Sequence, residues 1–341
     1  MLEQFVALSR AQSCNKYYLC TVKAKTIMKQ FLRDWSLPIA MLAGVAMYLL
    51  YVNIPLFDGT HAMAARAISI LQPLLIFSML FVTFCKVRYN ELRPRLWHFL
   101  LIAFQVGAMA LISLAVILMN PSPAVRVLLE AAMLCLLCPT ATAAAVITAK
   151  LGGSAASLIT YTMLINVSVA VAAPAFLALL HPVEGGSILS SFYAILGRVF
   201  PLLLFPLLCA ELLRKLFPRI HGFIVARGSN LPFYLWLVAL ALAIAMTARA
   251  IANSNISLVV MAGIAVVSLI CCLVQFALGR KVGACYGERI TGGQALGQKN
   301  TVFAIWLAYT FLTPVTAIAG GFYSIWHNVV NTRQLYRHNH K

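Results

Sequence analysis

Lys299 is the side chain in this sequence whose position asks most of its surroundings. It stands in GGQALGQKNTVFAIW (292–306), a stretch apolar enough to lie inside a membrane. A charged side chain at the bilayer centre costs about 3 kcal/mol or more, so an intramembrane lysine marks a functional site with a partner or a water-filled cavity. Snorkelling to an interface is the plainer account of a lysine near the end of a span. It fits poorly here, because no further charge follows until Arg333. Glycines and amides crowd the same stretch: Gly292, Gly293, Gln294, Gly297, Gln298 and Asn300. They suit a helix broken inside the membrane, whose freed backbone groups line a cavity, as at the binding sites of secondary transporters.

A second interruption of this kind, Cys138-Pro139-Thr140-Ala141-Thr142, lies in the first half of the chain. Proline removes a helical N–H, and Thr140 and Thr142 offer hydroxyls. Composition sets the elements that must position both. Hydrophobic residues make up 62% of the chain and charged residues 10%, against about 45–50% and 25% in soluble domains. The apolar runs are about twice as long as a barrel strand, which makes the class an all-α polytopic membrane protein. Ten spans are expected, at 37–54, 63–85, 97–119, 125–150, 154–180, 188–212, 230–252, 257–278, 287–309 and 311–330.

The two interruptions then fall in the fourth and ninth spans, corresponding members of two five-helix halves, 37–180 and 188–330. An odd number of spans per half turns the second half over. The discontinuous fourth and ninth helices of such an inverted repeat can cross near the midplane. Their half-helix N-termini carry free N–H groups and partial positive charge, suited to an anion. A single transporter domain (37–330) is expected between a basic segment (1–36) and a tail (331–341). The basic segment lacks the apolar core and cleavage site of a signal peptide.

Lysine and arginine alternate between the two sides of this arrangement. One side holds Lys16 to Arg33, the basic loops at 86–95, 214–227 and 280–289, Lys150 and the tail. The other has only Arg66, Arg126, Arg198 and Arg249. The positive-inside rule puts both termini in the cytoplasm, in an inner or plasma membrane. The net charge of +18 is therefore topological, with some attraction for anionic lipid. Spread over short loops, it does not make a nucleic-acid-binding face.

Other polar residues read more plainly. The nine cysteines match neither zinc nor disulfide spacing and are taken as small buried hydrophobes. Glu130, well inside a span, is placed to pair with Arg126 one turn earlier, and Glu211 with Lys215. Thr313-Pro314-Val315-Thr316 and Trp326-His327-Asn328 are candidates to line a cavity, with Pro314 as a local kink. Trp306, Tyr309, Tyr323 and Trp326 fit an interfacial belt. The spans hold no acid pair, zinc-protease motif or Ser–His set, so no enzyme, cofactor or metal is expected.

Several stretches resemble one family. CPTATAAAVITAKLGG (138–153) is similar to the fourth-helix signature CPGGTASNVVTYLAKGD of the bile acid:sodium symporter family. FSMLFVTFCKVRYNELRPRLWHFLLIAFQ (77–105) resembles its second and third helices, and GQALGQKNTVFA (293–304) its ninth-helix EVGMQNSGLA. The resemblance runs in order from about 37 to 330 and identifies a divergent member of the wider bile acid, arsenite and riboflavin transporter group. It implies ten helices in two inverted repeats, with a panel of helices 1, 2, 6 and 7 facing a core of helices 3, 4, 5, 8, 9 and 10.

The departures bear on chemistry. The resemblance implies sodium ligands at a Ser-Asn pair in helix four, where this sequence has Ala144 and Ala145. It implies a ninth-helix Glu where Gln294 stands, and an Asn where Lys299 stands. Gln298 and Gln105 match the family's glutamines, and Thr162 and Asn166 are the polar positions of helix five. A fixed ammonium about 4 Å from a sodium ion would repel it by about 4 kcal/mol at an effective dielectric of 20. Lys299 can instead occupy the space of the ion. The substrate/ion site expected is thus Lys299, Gln298, Gln294, Asn300, Gln105, Thr140, Thr142, Thr162 and Asn166. The function expected is sodium-independent secondary transport of a small organic anion by alternating access. A proton-coupled antiporter or exporter on the same scaffold, and a membrane scaffold or sensor without transport, stay open.

Overall fold

The computed structural model describes residues 36–57, 59–87, 89–182, 185–227 and 231–340. Among them lie thirteen α-helices and no strand. They are α1 (Ser36–Asn53), α2 (His61–Cys85), α3 (Leu96–Met119), α4 (Pro123–Leu137), α5 (Ala144–Lys150), α6 (Ala155–Leu180) and α7 (Ile188–Leu216). There follow α8 (Pro218–Arg227), α9 (Leu231–Ala252), α10 (Leu258–Ala284), α11 (Arg289–Gly297), α12 (Thr301–Phe311) and α13 (Pro314–Asn339). Six of them (α2, α3, α6, α7, α9 and α10) are long and apolar enough to cross a membrane. The protein is an all-α integral membrane protein. The basic segment expected at 1–36 lies, but for its last residue, outside the described residues.

The helix starts follow from sequence. Ser154, Ser187 and Ser257 cap α6, α7 and α10, each hydroxyl accepting a backbone N–H three residues on. The stops that matter most lie inside the bundle. Cys138, before Pro139, is extended, as the residue preceding proline tends to be, and ends α4. Gln298 is likewise extended and ends α11.

The packing links the helices in series, with α6 seated on α7. α1 packs on α9, α9 on α2, and α2 on α7. The remaining long elements, α3, α4, α6, α10, α11 and α13, pack around the two breaks. The closest approach is between α10 and α11. A Cβ on Gly292 would stand 2.4 Å from the Gly279 carbonyl oxygen and 2.9 Å from the Gly283 Cα. Gly279 and Gly283 are spaced four apart on one face of α10, the small-residue pattern that lets membrane helices touch backbone to backbone.

Several expectations are corrected. Pro314 does not kink a helix but occupies the first turn of α13, where a missing N–H costs nothing; Thr313 caps that helix by accepting from the Thr316 N–H at 3.1 Å. α13 runs past the expected span end at 330 to Asn339 and keeps Asn331 buried. Residues 218–227 form a helix of their own, with Ile220 and Phe223 exposed. Tyr323 belongs to no interfacial belt: it is buried against α11 and α10, bonded to polar groups of both.

Candidate functional site

The two helix breaks meet. Thr140 and Lys299 pair as an isolated antiparallel bridge. The Ala141 N–H donates to the Gln298 carbonyl at 2.9 Å, and the Asn300 N–H to the Pro139 carbonyl at 2.9 Å. A short β-like contact thus replaces the helical hydrogen bonds that both segments give up. It answers the demand that buried backbone groups be paired.

The carbonyls left at the helix ends are also satisfied. Thr140 Oγ1 donates to the Ala295 carbonyl at 2.7 Å, and Tyr323 Oη to the Gly297 carbonyl at 2.8 Å, both in the last turn of α11. The Gln105 amide, reaching in from α3, donates to the Cys138 carbonyl at 3.2 Å and the Leu137 carbonyl at 3.4 Å, at the end of α4. Gln275 of α10 donates to the Cys135 carbonyl at 3.2 Å and to Tyr323 Oη at 3.1 Å. Asn300 caps α12 by accepting from the Phe303 N–H at 3.2 Å.

Lys299 is 1% exposed, and its ammonium donates to Gln105 Oε1 at 2.7 Å. Two negative helix C-termini, those of α4 and α11, converge at this point. Each carries roughly half an elementary negative charge. Gln105 relays the field, because its Nε2 binds the α4 carbonyls while its Oε1 faces the ammonium. The glutamine orientation follows from its partners, since the ammonium has only donors and the carbonyls only acceptors. The Lys299 ammonium stands in this field, beside the N-termini of α5 and α12, which start from the same two breaks.

Of the nine residues named from sequence, the structure brings together Lys299, Gln105, Thr140, Gln298 and Asn300. Gln294 points elsewhere: its Nε2 donates to Asn331 Oδ1 and to Gln334 Oε1, both at 3.1 Å. Thr162 spends its hydroxyl on its own helix, donating to the Leu158 carbonyl at 2.9 Å. Asn166 is 1% exposed with no protein partner for either end of its amide. Thr142 is half-buried outside the bonded cluster. Sequence reasoning missed Gln275 and Tyr323. Gln275 carried a signal, an amide within an apolar span. Tyr323 carried none, because an aromatic hydroxyl near the tenth span fits an interface equally well.

Two features flank the crossing. Glu130 is 2% exposed; its Oε1 takes the Arg126 Nε–H at 2.9 Å and faces His181 Nε2 at 3.0 Å, and its Oε2 accepts from Thr316 Oγ1 at 3.3 Å. The expected pair with Arg126 is present and ties α4 to α13 and to the end of α6. On the same side of the crossing a cavity of about 980 Å³ opens between α2, α7, α9, α12 and the start of α13. Arg198, Arg249, Gln72, Trp306 and Tyr309 line it, and among the described residues its lining contains no acid. Among the described residues no cluster of His, Cys, Asp or Glu could hold a metal ion. No protein-family model and no curated protein matches this chain.

Proposed function

We propose that this protein is a secondary transporter related to the bile acid:sodium symporter family, carrying a small organic anion without sodium. The observation that carries the reading is the Lys299 ammonium, buried where two broken helices meet and bound to Gln105 at 2.7 Å. A mobile sodium ion at such a crossing is held by oxygens and helix C-termini. A tethered ammonium answers the same field and leaves no room for the ion.

The proposed fold is ten spans in two inverted five-helix repeats, the fourth being α4 with α5 and the ninth α11 with α12. The layer of α1, α2, α7 and α9 is the mobile panel and the remaining helices are the core. Substrate enters between them. Two features support an anionic substrate: the arginines Arg198 and Arg249 in the cavity, and the lack of an acid among the described residues of its lining. A cavity of 300–1,000 Å³ is of the order that holds a drug-sized molecule. Both termini face the cytoplasm in this reading, and the cavity opens to the other side.

The test is a thermal-stability screen of the purified full chain with organic anions, in sodium and in choline. Stabilisation by particular anions, equal in the two salts, is the expected result. Stabilisation that requires sodium overturns the tethered-cation reading, and no response to any anion overturns the substrate class.

A further inference from the structure

A seam of buried polar atoms leaves the crossing along α11 and α13. Tyr323 Oη bonds the Gly297 carbonyl, while Gln294, nearly a turn back along α11, bonds Asn331 and Gln334 further along α13. The two helices therefore run antiparallel along this line. His327 lies one turn from both Tyr323 and Asn331 on the same face of α13. Its ring stands edge-on to Tyr323 with centroids 5.7 Å apart. It is 2% exposed, and neither ring nitrogen has a protein partner.

His327 is not alone in this. Gln298 Oε1, Gln294 Oε1, Ser324 Oγ, Asn331 Nδ2 and Gln334 Nε2 are buried and likewise lack protein partners. A buried polar atom left unbonded costs about 1–3 kcal/mol. The set contains both donors and acceptors, and water, which takes two to four polar partners in such sites, can serve both kinds. The line runs from Gln298, the residue before Lys299 in the chain, to the end of the bundle where α11 begins and α13 ends. Arg289, Arg333 and Arg337 mark that end, and Arg280 packs against Gly293 beside it.

We propose that this seam is a water-filled proton path between Lys299 and the basic end of the bundle, with His327 as its relay. The proposal rests on the reading of Lys299 as the functional cation. The ammonium gives one proton to a seam water and becomes a neutral amine. That water passes a proton to one nitrogen of His327, the other nitrogen releases one, and the last water delivers it to bulk. Reprotonation runs the same steps in reverse. Both imidazole nitrogens are free of protein partners, which the relay requires.

Hydroxyl radicals generated by X-rays in 18O-water test the path on the full chain. Tyr323 and His327 are expected to take up 18O well above Phe84 and Phe303, which are as deeply buried. Labelling no higher than at those two residues overturns the path. In proteoliposomes with an internal pH dye, proton entry under an imposed gradient is expected to fall at least roughly tenfold in His327→Phe. Equal rates in the variant and the wild type overturn the relay. A sodium requirement in the stability screen would remove the reading of Lys299 while the labelling pattern stood, so the two failures are distinguishable.

Discussion

At the scale of single residues, the energetics of Lys299 turn on its one neutral partner. Removing Gln105 leaves an ammonium buried and unpaired, which costs about 3–5 kcal/mol. Removing the lysine leaves only a carboxamide oxygen unbonded, about 1–3 kcal/mol. Gln105→Leu should therefore lower the thermal midpoint of the purified protein more than Lys299→Met does. The double variant should be more stable than Gln105→Leu alone, because the stranded charge is gone. Strict additivity of the two changes would show that the 2.7 Å bond carries no energy. The lysine was legible in the sequence because a charge inside an apolar span has no cheap explanation. Its partner was legible only by resemblance, since one glutamine among several in apolar spans is not singled out by spacing. Gln294 was misplaced by the same logic: on a helix of nine residues, a shift of one position turns a side chain about 100° around the axis.

At the scale of elements, the breaks were readable and the packing that holds them was not. Pro139 and the glycine and amide run at 292–300 announce interrupted helices. The contact of α10 with α11 depends on Gly292, which reads from sequence as a feature of the break, and on Gly279 and Gly283, which sequence reasoning passed over. Gly279 and Gly283 lie at the end of an apolar span and meet Gly292 across the interface. Gly292→Ala is expected to force the helices apart and to cost about 1–3 kcal/mol, as overpacking does. Gly107→Ala, where an added Cβ meets nothing within 4 Å, should leave stability unchanged or raise it slightly. Fluorescence-detected size-exclusion profiles after a heating step would separate the two. Equal behaviour would mean that α11 is not seated on α10 in this way. The extension of α13 past 330 also escaped detection, because its polar last turns pack on α11 through amides rather than through an apolar face.

At the scale of the whole molecule, sidedness and ion choice are the properties to test. Charge alternation predicts that cysteines introduced at Leu56, Pro121 and Asn253 react with impermeant maleimides from outside the cell. The exposed Cys285 should react only after the membrane is opened. The reverse pattern would invert the molecule and move the arginine-lined cavity to the cytoplasmic side. Ion choice is the sharper property, because it asks whether a covalent cation has replaced a dissociable one. Lys299→Asn with Gln294→Glu and Ala145→Asn would remove the ammonium and introduce a carboxylate and two amide oxygens near the helix ends. A ligand at ten times its Kd stabilises a folded state by about 1.4 kcal/mol, so exchange of choline for sodium should raise the midpoint of the triple variant by a few degrees and leave the wild type unmoved. Gln294 faces Asn331 and Gln334 in the native packing, so its carboxylate replacement must turn toward the crossing to serve as a ligand. The variant that keeps Gln294 and changes only the other two positions isolates that requirement. Sodium stabilisation of the triple but not the double variant would show that the turn occurs. A folded triple variant indifferent to sodium would mean that Lys299 does not stand where a cation once bound.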